Sequence, residues 1–131
     1  MVVLHYLLDT YAWVEYLIGS KKGIKVKKII ENEKNTLSTP ENCISEIKLW
    51  CLANNEDFKK LFGIVKMGSV IEPINLINWL KAAEIRHGNR KEMKDFGLMD
   101  SIILAKQEEI KGIILTGDLH FKNKKNVEFL L

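Results

Sequence analysis

Two short apolar runs set the terms of this fold. Val2–Leu8 and Ile113–Thr116 are nearly unbroken in hydrophobic residues, rich in β-branched and aromatic members, and too short for core helices. Such runs fit strands covered on both faces, which are the strands of a parallel sheet. Parallel neighbours need long crossovers, and the chain between the runs supplies helical patterns alternating with further short strands. The expected fold is an α/β three-layer sandwich, a central mostly parallel sheet flanked by helices, in one domain over residues 1–131.

The intervening elements follow from local signals. Ala12–Ile18 reads as a short helix closed by Gly19 and Ser20, and residues 23–32 set Ile24, Ile29 and Ile30 among lysines as an amphipathic helix. Thr36–Ser38 is a brief strand. Thr39-Pro40 marks a helix start, a capping hydroxyl before proline at the first helical position, with Cys43, Ile47, Trp50 and Cys51 as its buried stripe. Glu46 falls on or beside that stripe. A helix from about Glu56 to Lys66 ends at Gly68, and Val70–Pro73 forms a strand that Pro73 places at an edge or terminates. Leu76 to about His87 is helical with Leu76, Leu80, Ala83 and His87 on one side, Gly88–Phe96 is a loop, and Asn126–Leu131 adds a last strand.

Several function classes drop out early. No apolar run approaches the ~18 residues of a membrane span, and the first residues lack a basic leader followed by a cleavage site, so a cytoplasmic protein is expected. Cys43 and Cys51 lie eight residues apart on one helix, roughly 12 Å, too far for a disulfide, and read as small reduced core residues. His5, His87 and His120 lack the pair spacing of a zinc site, and His5 reads as a packed histidine with a hydrogen bond.

What remains is a pattern of acids. Asp9 and Asp118 follow the two apolar runs, and in open parallel sheets the ligand crevice lies beyond the carboxyl ends of the strands. Asp100 opens the helical segment Leu98–Lys106 and shares a stripe with Ile103, Leu104 and Gln107, so it points at the core or its rim. Taken singly these residues have ordinary explanations. Asp9 and Asp100 could be helix caps, although Ile103 leaves Asp100 without a reciprocal capping box; Asp118 could be a turn residue and Glu46 a surface glutamate. Taken together they ask for one explanation.

Carboxylates within ~6 Å of one another cannot all stay ionised without a cation, and hard oxygen ligands select Mg²⁺ or Mn²⁺. The chemistry that follows is metal-assisted phosphodiester hydrolysis. Net charge is +3, and gathering four acids into one pocket leaves a more basic surface around it, a distribution suited to a polyanion.

Leu7-Leu-Asp-Thr-Tyr11, Thr39-Pro40 with Glu46, Leu98-Met-Asp-Ser-Ile102 and Leu115-Thr-Gly-Asp-Leu-His-Phe121 occur in this order across nearly the whole chain. In them the sequence resembles PIN domains, most closely the VapC-like ribonuclease toxins. The resemblance implies sheet order 3-2-1-4-5, a Mg²⁺- or Mn²⁺-dependent endoribonuclease acting on RNA, frequent homodimers and an inhibitory antitoxin partner. Carried over, the catalytic acids are Asp9, Glu46, Asp100 and Asp118, with Asp9, Asp100 and Asp118 on the metal and the hydroxyls of Thr10 and Thr116 steadying them. Many relatives carry a further acid where this chain has His120, which is expected to turn outward, while Phe121 packs against the sheet end.

For substrate grip, Arg86, Arg90 and Lys91, and Lys122, Lys124 and Lys125, lie near the mouth in sequence and could position phosphates, ahead of Lys21, Lys22 and Lys25. Arg86, Arg90 and Lys122 are the leading candidates. Trp13, Trp50 and Trp79 read as core or dimer-interface residues. Two other readings stand beside the toxin: a PIN nuclease of RNA processing without an antitoxin, and a non-catalytic α/β interaction module in which the acids are caps. An aspartyl phosphatase is disfavoured because Tyr11 stands where a second aspartate would be needed, and a receiver domain because no adjacent acids follow the first strand.

Overall fold

Leu7 and Leu8 have no solvent exposure, so their strand must be covered on both faces and paired at both edges. The computed structural model, which describes residues 4–89 and 92–131, places them in β1 (His5–Leu8) at the centre of a five-stranded sheet. β1 pairs with β2 (Thr36–Pro40), Leu7 opposite Ser38, and with β4 (Ile113–Thr116), Leu7 opposite Ile114. β3 (Val70–Glu72) lies outside β2 and β5 (Val127–Phe129) outside β4, all parallel, in the order 3-2-1-4-5. The expected sheet is therefore present, with Val2 and Val3 of the first apolar run outside the described residues.

Among the described residues six helices complete the layers: α1 (Thr10–Ile18), α2 (Lys21–Glu31), α3 (Glu41–Asn54), α4 (Phe58–Gly68), α5 (Leu76–Asn89) and α6 (Leu98–Ile110). The alternation of side chains along a strand divides the core in two. Tyr6, Leu8 and Leu115 pack with Trp13, Val26, Ile47 and Val65 in one cluster. Leu7 and Ile114 pack with Cys43, Phe96, Ile103 and Phe121 in the other. Each fully buried large side chain contributes about 1.5–3 kcal/mol, and both clusters are anchored on the two central strands. Gly23 lets α1 and α2 touch, since a Cβ there would stand 2.1 Å from the Glu15 carbonyl oxygen.

Several local expectations needed correction. Pro40, not Thr39, precedes α3, and it makes no side-chain cap. Thr39 stays in β2 because its hydroxyl is used elsewhere, accepting from Trp13 Nε1 at 2.9 Å and meeting Ser69 Oγ at 2.7 Å. α4 begins later than expected, at an Asp57 cap, and runs through Gly68. On α5 the side carrying Leu76 and Leu80 faces solvent, whereas Asn78 and Ala82 are buried, because Asn78 donates to Glu109 of α6. Other expectations match: β3 is an edge strand with Pro73 just past its end, Cys43 and Cys51 are free and buried, and His5 shares a 2.7 Å hydrogen bond with Ser38. Among the described residues no helix is long and apolar enough to cross a membrane.

Candidate metal centre

The crevice beyond the ends of β1 and β4 is built by residues that each do local structural work as well. Asp9 caps α1, its Oδ1 accepting the Ala12 N–H at 3.0 Å. Its Oδ2 accepts the Thr116 hydroxyl, and Thr116 Oγ1 in turn accepts the Asp118 N–H at 2.9 Å. Thr116 thus fastens the end of β1 to the turn after β4. Asp118 Oδ1 accepts the His120 N–H at 2.9 Å and opens a single 3₁₀ turn, Leu119–Phe121. Asp100 lies in the first turn of α6, and its Oδ2 accepts the Gly97 N–H at 3.1 Å. Asp100 is therefore the third helical residue reaching back to the Gly97 cap, which corrects the alternative that Asp100 is itself the cap.

These side chains line one cleft of about 330 Å³, with Asp9, Thr10, Glu46, Asp100 and Asp118 on its walls and Tyr11 and Met99 at its sides. Asp9 is almost fully buried, and burial pushes its carboxyl up to about 7; the Asp118 and Glu46 charges add to this, against the Thr116 and Ala12 hydrogen bonds. Asp100 is also raised, first by burial and then by Asp118 and Asp95, with the Gly97 bond and His120 opposing. Glu46 stands at the solvent-facing mouth and is raised by partial desolvation together with Asp100 and Asp118.

The one sequence expectation at this site that fails outright is His120. Its ring turns inward: Nδ1 is 3.0 Å from Asp118 Oδ1 and 3.5 Å from Asp100 Oδ2, and Nε2–H donates to Asp95 Oδ2 at 2.9 Å. The cause is the 3₁₀ turn. Its three residues point about 120° apart, so burying Phe121 completely and exposing Leu119 leaves the third direction, toward the acids, for His120. The Asp95 bond raises the imidazole pKa above its ordinary value. Among the described residues, Asp100, Asp118 and His120 offer ligand atoms within 4.8 Å of one another. Asp9 and Glu46 share the cleft but not that tight group.

Does the donor set fit a divalent cation? Among the described residues, His120 Nδ1 is buried beside the acids without a hydrogen-bond partner, alongside carboxylates whose pKa values are raised. Oxygen donors, an idle ring nitrogen and uncompensated negative charge together suit such an ion.

The basic residues fall differently from expectation. Arg86 lines neither this cleft nor the groove beside it, and Lys122 lies over the Phe129 ring, 5.6 Å from its centroid; Arg90 and Lys91 lie outside the described residues. It is Lys22, from the cluster ranked last, that reaches the mouth. Its Nζ donates to Tyr11 Oη at 2.9 Å, in a groove shared with Asp118 and His120. Tyr11 itself packs so closely over Gly117 that a Cβ there would lie 2.2 Å from the ring. No spacing rule would have found Lys22, because α2 brings it back across the sheet end.

Fold and site together define an α/β protein with an acid-lined crevice at the carboxyl end of a 3-2-1-4-5 parallel sheet. The model of the PIN domain matches residues 6–127, and the chain belongs to that family. No curated protein matches the sequence. Among solved structures, VapC20 of Mycobacterium tuberculosis, a Sarcin-Ricin loop cleaving toxin, superposes with a TM-score of 0.78 at 13% identity, covering 96% of this chain and 99% of that one. VapBC2 from Rickettsia felis, bound to a DNA fragment from its promoter, gives 0.75 at 16% identity, with 96% and 98% covered. A toxin-antitoxin complex from Klebsiella pneumoniae gives 0.74 at 15% identity, with 96% and 98% covered.

Proposed function

We propose that this protein is a Mg²⁺- or Mn²⁺-dependent endoribonuclease and the toxin half of a toxin–antitoxin pair. The observation that carries the nuclease reading is the single cleft in which Asp9, Glu46, Asp100 and Asp118 meet, where burial first and neighbouring acids second push carboxyl pKa values upward. When bound, the ion supplies Lewis-acid polarisation of a phosphodiester and a hydroxide source near neutral pH. Asp100 and Asp118 would hold it. Asp9, its carboxylate oriented by Ala12 and Thr116, would complete the ligand set. Glu46, at the mouth with a raised pKa, is suited to take a proton from the attacking water. Lys22 positions a phosphate at the groove without reading sequence.

The toxin reading is supported by the neighbours, which include a Sarcin-Ricin loop cleaving toxin and VapBC assemblies. Exposed Leu49, Leu52, Leu76, Ile77 and Leu80 are consistent with a protein partner, whether an antitoxin or a second copy of the chain. The deciding experiment is incubation of a mixed RNA pool with Mg²⁺, Mn²⁺ or EDTA, for the parent and for Asp9→Asn and Asp100→Asn. We expect cutting that EDTA abolishes and Mn²⁺ restores, and a loss on the order of a thousandfold in each variant, since the ion contributes several kcal/mol. Cutting that survives EDTA or both substitutions would overturn the mechanism.

A further inference from the structure

We propose that His120 is a nitrogen ligand of the metal centre, that Asp95 holds its ring in the ligating orientation, and that the site in consequence favours Mn²⁺ over Mg²⁺. The inference rests on the metal-dependent reading above.

Three observations carry it. First, His120 Nδ1 forms with the carboxylates of Asp100 and Asp118 the tight donor group of the cleft. Second, Nδ1 is buried and lies 3.0 Å from Asp118 Oδ1, yet the direction is wrong for a hydrogen bond. A buried ring nitrogen beside two carboxylates and without a hydrogen-bond partner is placed to meet a cation. Third, Nε2–H is donated to Asp95 at 2.9 Å. A carboxylate on the far nitrogen fixes the tautomer with the near nitrogen free and makes it a better donor, as it does for metal-ligating histidines generally. Asp95 is exposed, so an outward turn of His120 toward water was open to it; the ring instead spans from Asp95 to the Asp100 and Asp118 carboxylates and stands edge-to-face with Phe96, 6.3 Å between centroids.

The competing explanation is that His120 is a resident positive charge quieting the acids. That role, with the ring 3.0 Å from Asp118 and 3.5 Å from Asp100, predicts no coupling between a bound ion and the ring nitrogen. Nitrogen ligation has a chemical consequence. Mg²⁺ prefers a shell of hard oxygens, whereas imidazole improves the site for transition-metal divalent ions.

The test uses the full chain loaded with Mn²⁺. Pulsed electron paramagnetic resonance should show coupling to a directly bound imidazole nitrogen, and that coupling should vanish in His120→Gln. Calorimetry should show Mn²⁺ affinity falling about tenfold or more in His120→Gln and by a smaller factor in Asp95→Asn, with Mg²⁺ affinity less affected. Bound Mn²⁺ without nitrogen coupling in the parent would overturn His120 as a ligand while leaving the acid site standing. Coupling that persists in His120→Gln would overturn it as well. No specific Mn²⁺ uptake by the parent would instead sink the metal-dependent reading itself. Because the parent's spectrum decides the matter, the proposal does not depend on either variant folding.

Discussion

The two places where α6 carries charge toward the interior behave in opposite ways. Near its C-terminal end, Lys106 is 1% exposed and its Nζ lies 2.8 Å from Glu109 Oε2, which also accepts Asn78 Nδ2 at 2.7 Å. The Lys106 hydrogen bond, with Asn78 behind it, pulls the Glu109 carboxyl below its ordinary range. At the other end of the helix, Asp100 joins Asp9 and Glu46 in being pushed above it. The chemical group is the same. One cluster closes on itself and needs nothing further, tying α5 to α6; the other is left short of a cation. The direction of the shift, more than the presence of buried charge, separates a structural clamp from a site.

The largest expected effect tests that separation through pH. A carboxyl raised from about 4 to about 7 keeps its proton in the folded chain at pH values where the unfolded chain has released it. The Asp9 contribution to metal-free stability is therefore full below about pH 4, falls as pH rises toward 7, and levels off above, a loss of roughly 4 kcal/mol. Asp9→Asn removes that slope. In EDTA at about pH 8 the variant should resist urea better than the parent, and saturating Mn²⁺ should close the gap by stabilising the parent alone. A variant weaker than the parent at that pH would erase the contrast between the clusters.

Glu109→Gln should do the reverse. It strips the counter-charge from a buried ammonium, and we expect a loss of about 2–3 kcal/mol in urea unfolding, with or without metal. Lys106→Met, which removes the charge and keeps the bulk, should stay within about 1 kcal/mol of the parent. A stabilising Glu109→Gln would mean that the clamp, too, is strained.

How far the sequence foretold these clusters depended on how local the cause was. Strand interiors were legible because burial on both faces writes itself as an apolar run: Ile113–Thr116 is β4 residue for residue. Asp9, Asp100 and Asp118 could be picked out because acids abutting such runs have no bland reason to be there in number. The solvent side of α5 was not legible, since Leu76 and Leu80 look like core until Asn78 is known to reach Glu109. His120 was misjudged for a related reason: its direction is set by a 3₁₀ turn that burying Phe121 imposes, and no periodicity records that. Lys22 was placed behind the other basic residues because its position depends on the packing of α1 against α2 through Gly23.

The smallest effect bears on Asp100, where the two roles meet in one residue. Its Oδ2 caps Gly97, and its charge faces Asp118 and Asp95 as well as His120. Asp100→Asn keeps an acceptor for the Gly97 N–H and gives up the charge, so in EDTA it should match or exceed the parent by less than about 1 kcal/mol. Asp100→Ala gives up both, and losing the capping bond should cost about 0.5–2 kcal/mol relative to the asparagine variant. Mn²⁺ affinity should fall alike in the two, so that folding stability and metal binding come apart at a single position. If asparagine were as destabilising as alanine and bound Mn²⁺ as the parent does, Asp100 would be a helix cap and nothing more, and both ends of α6 would be structural.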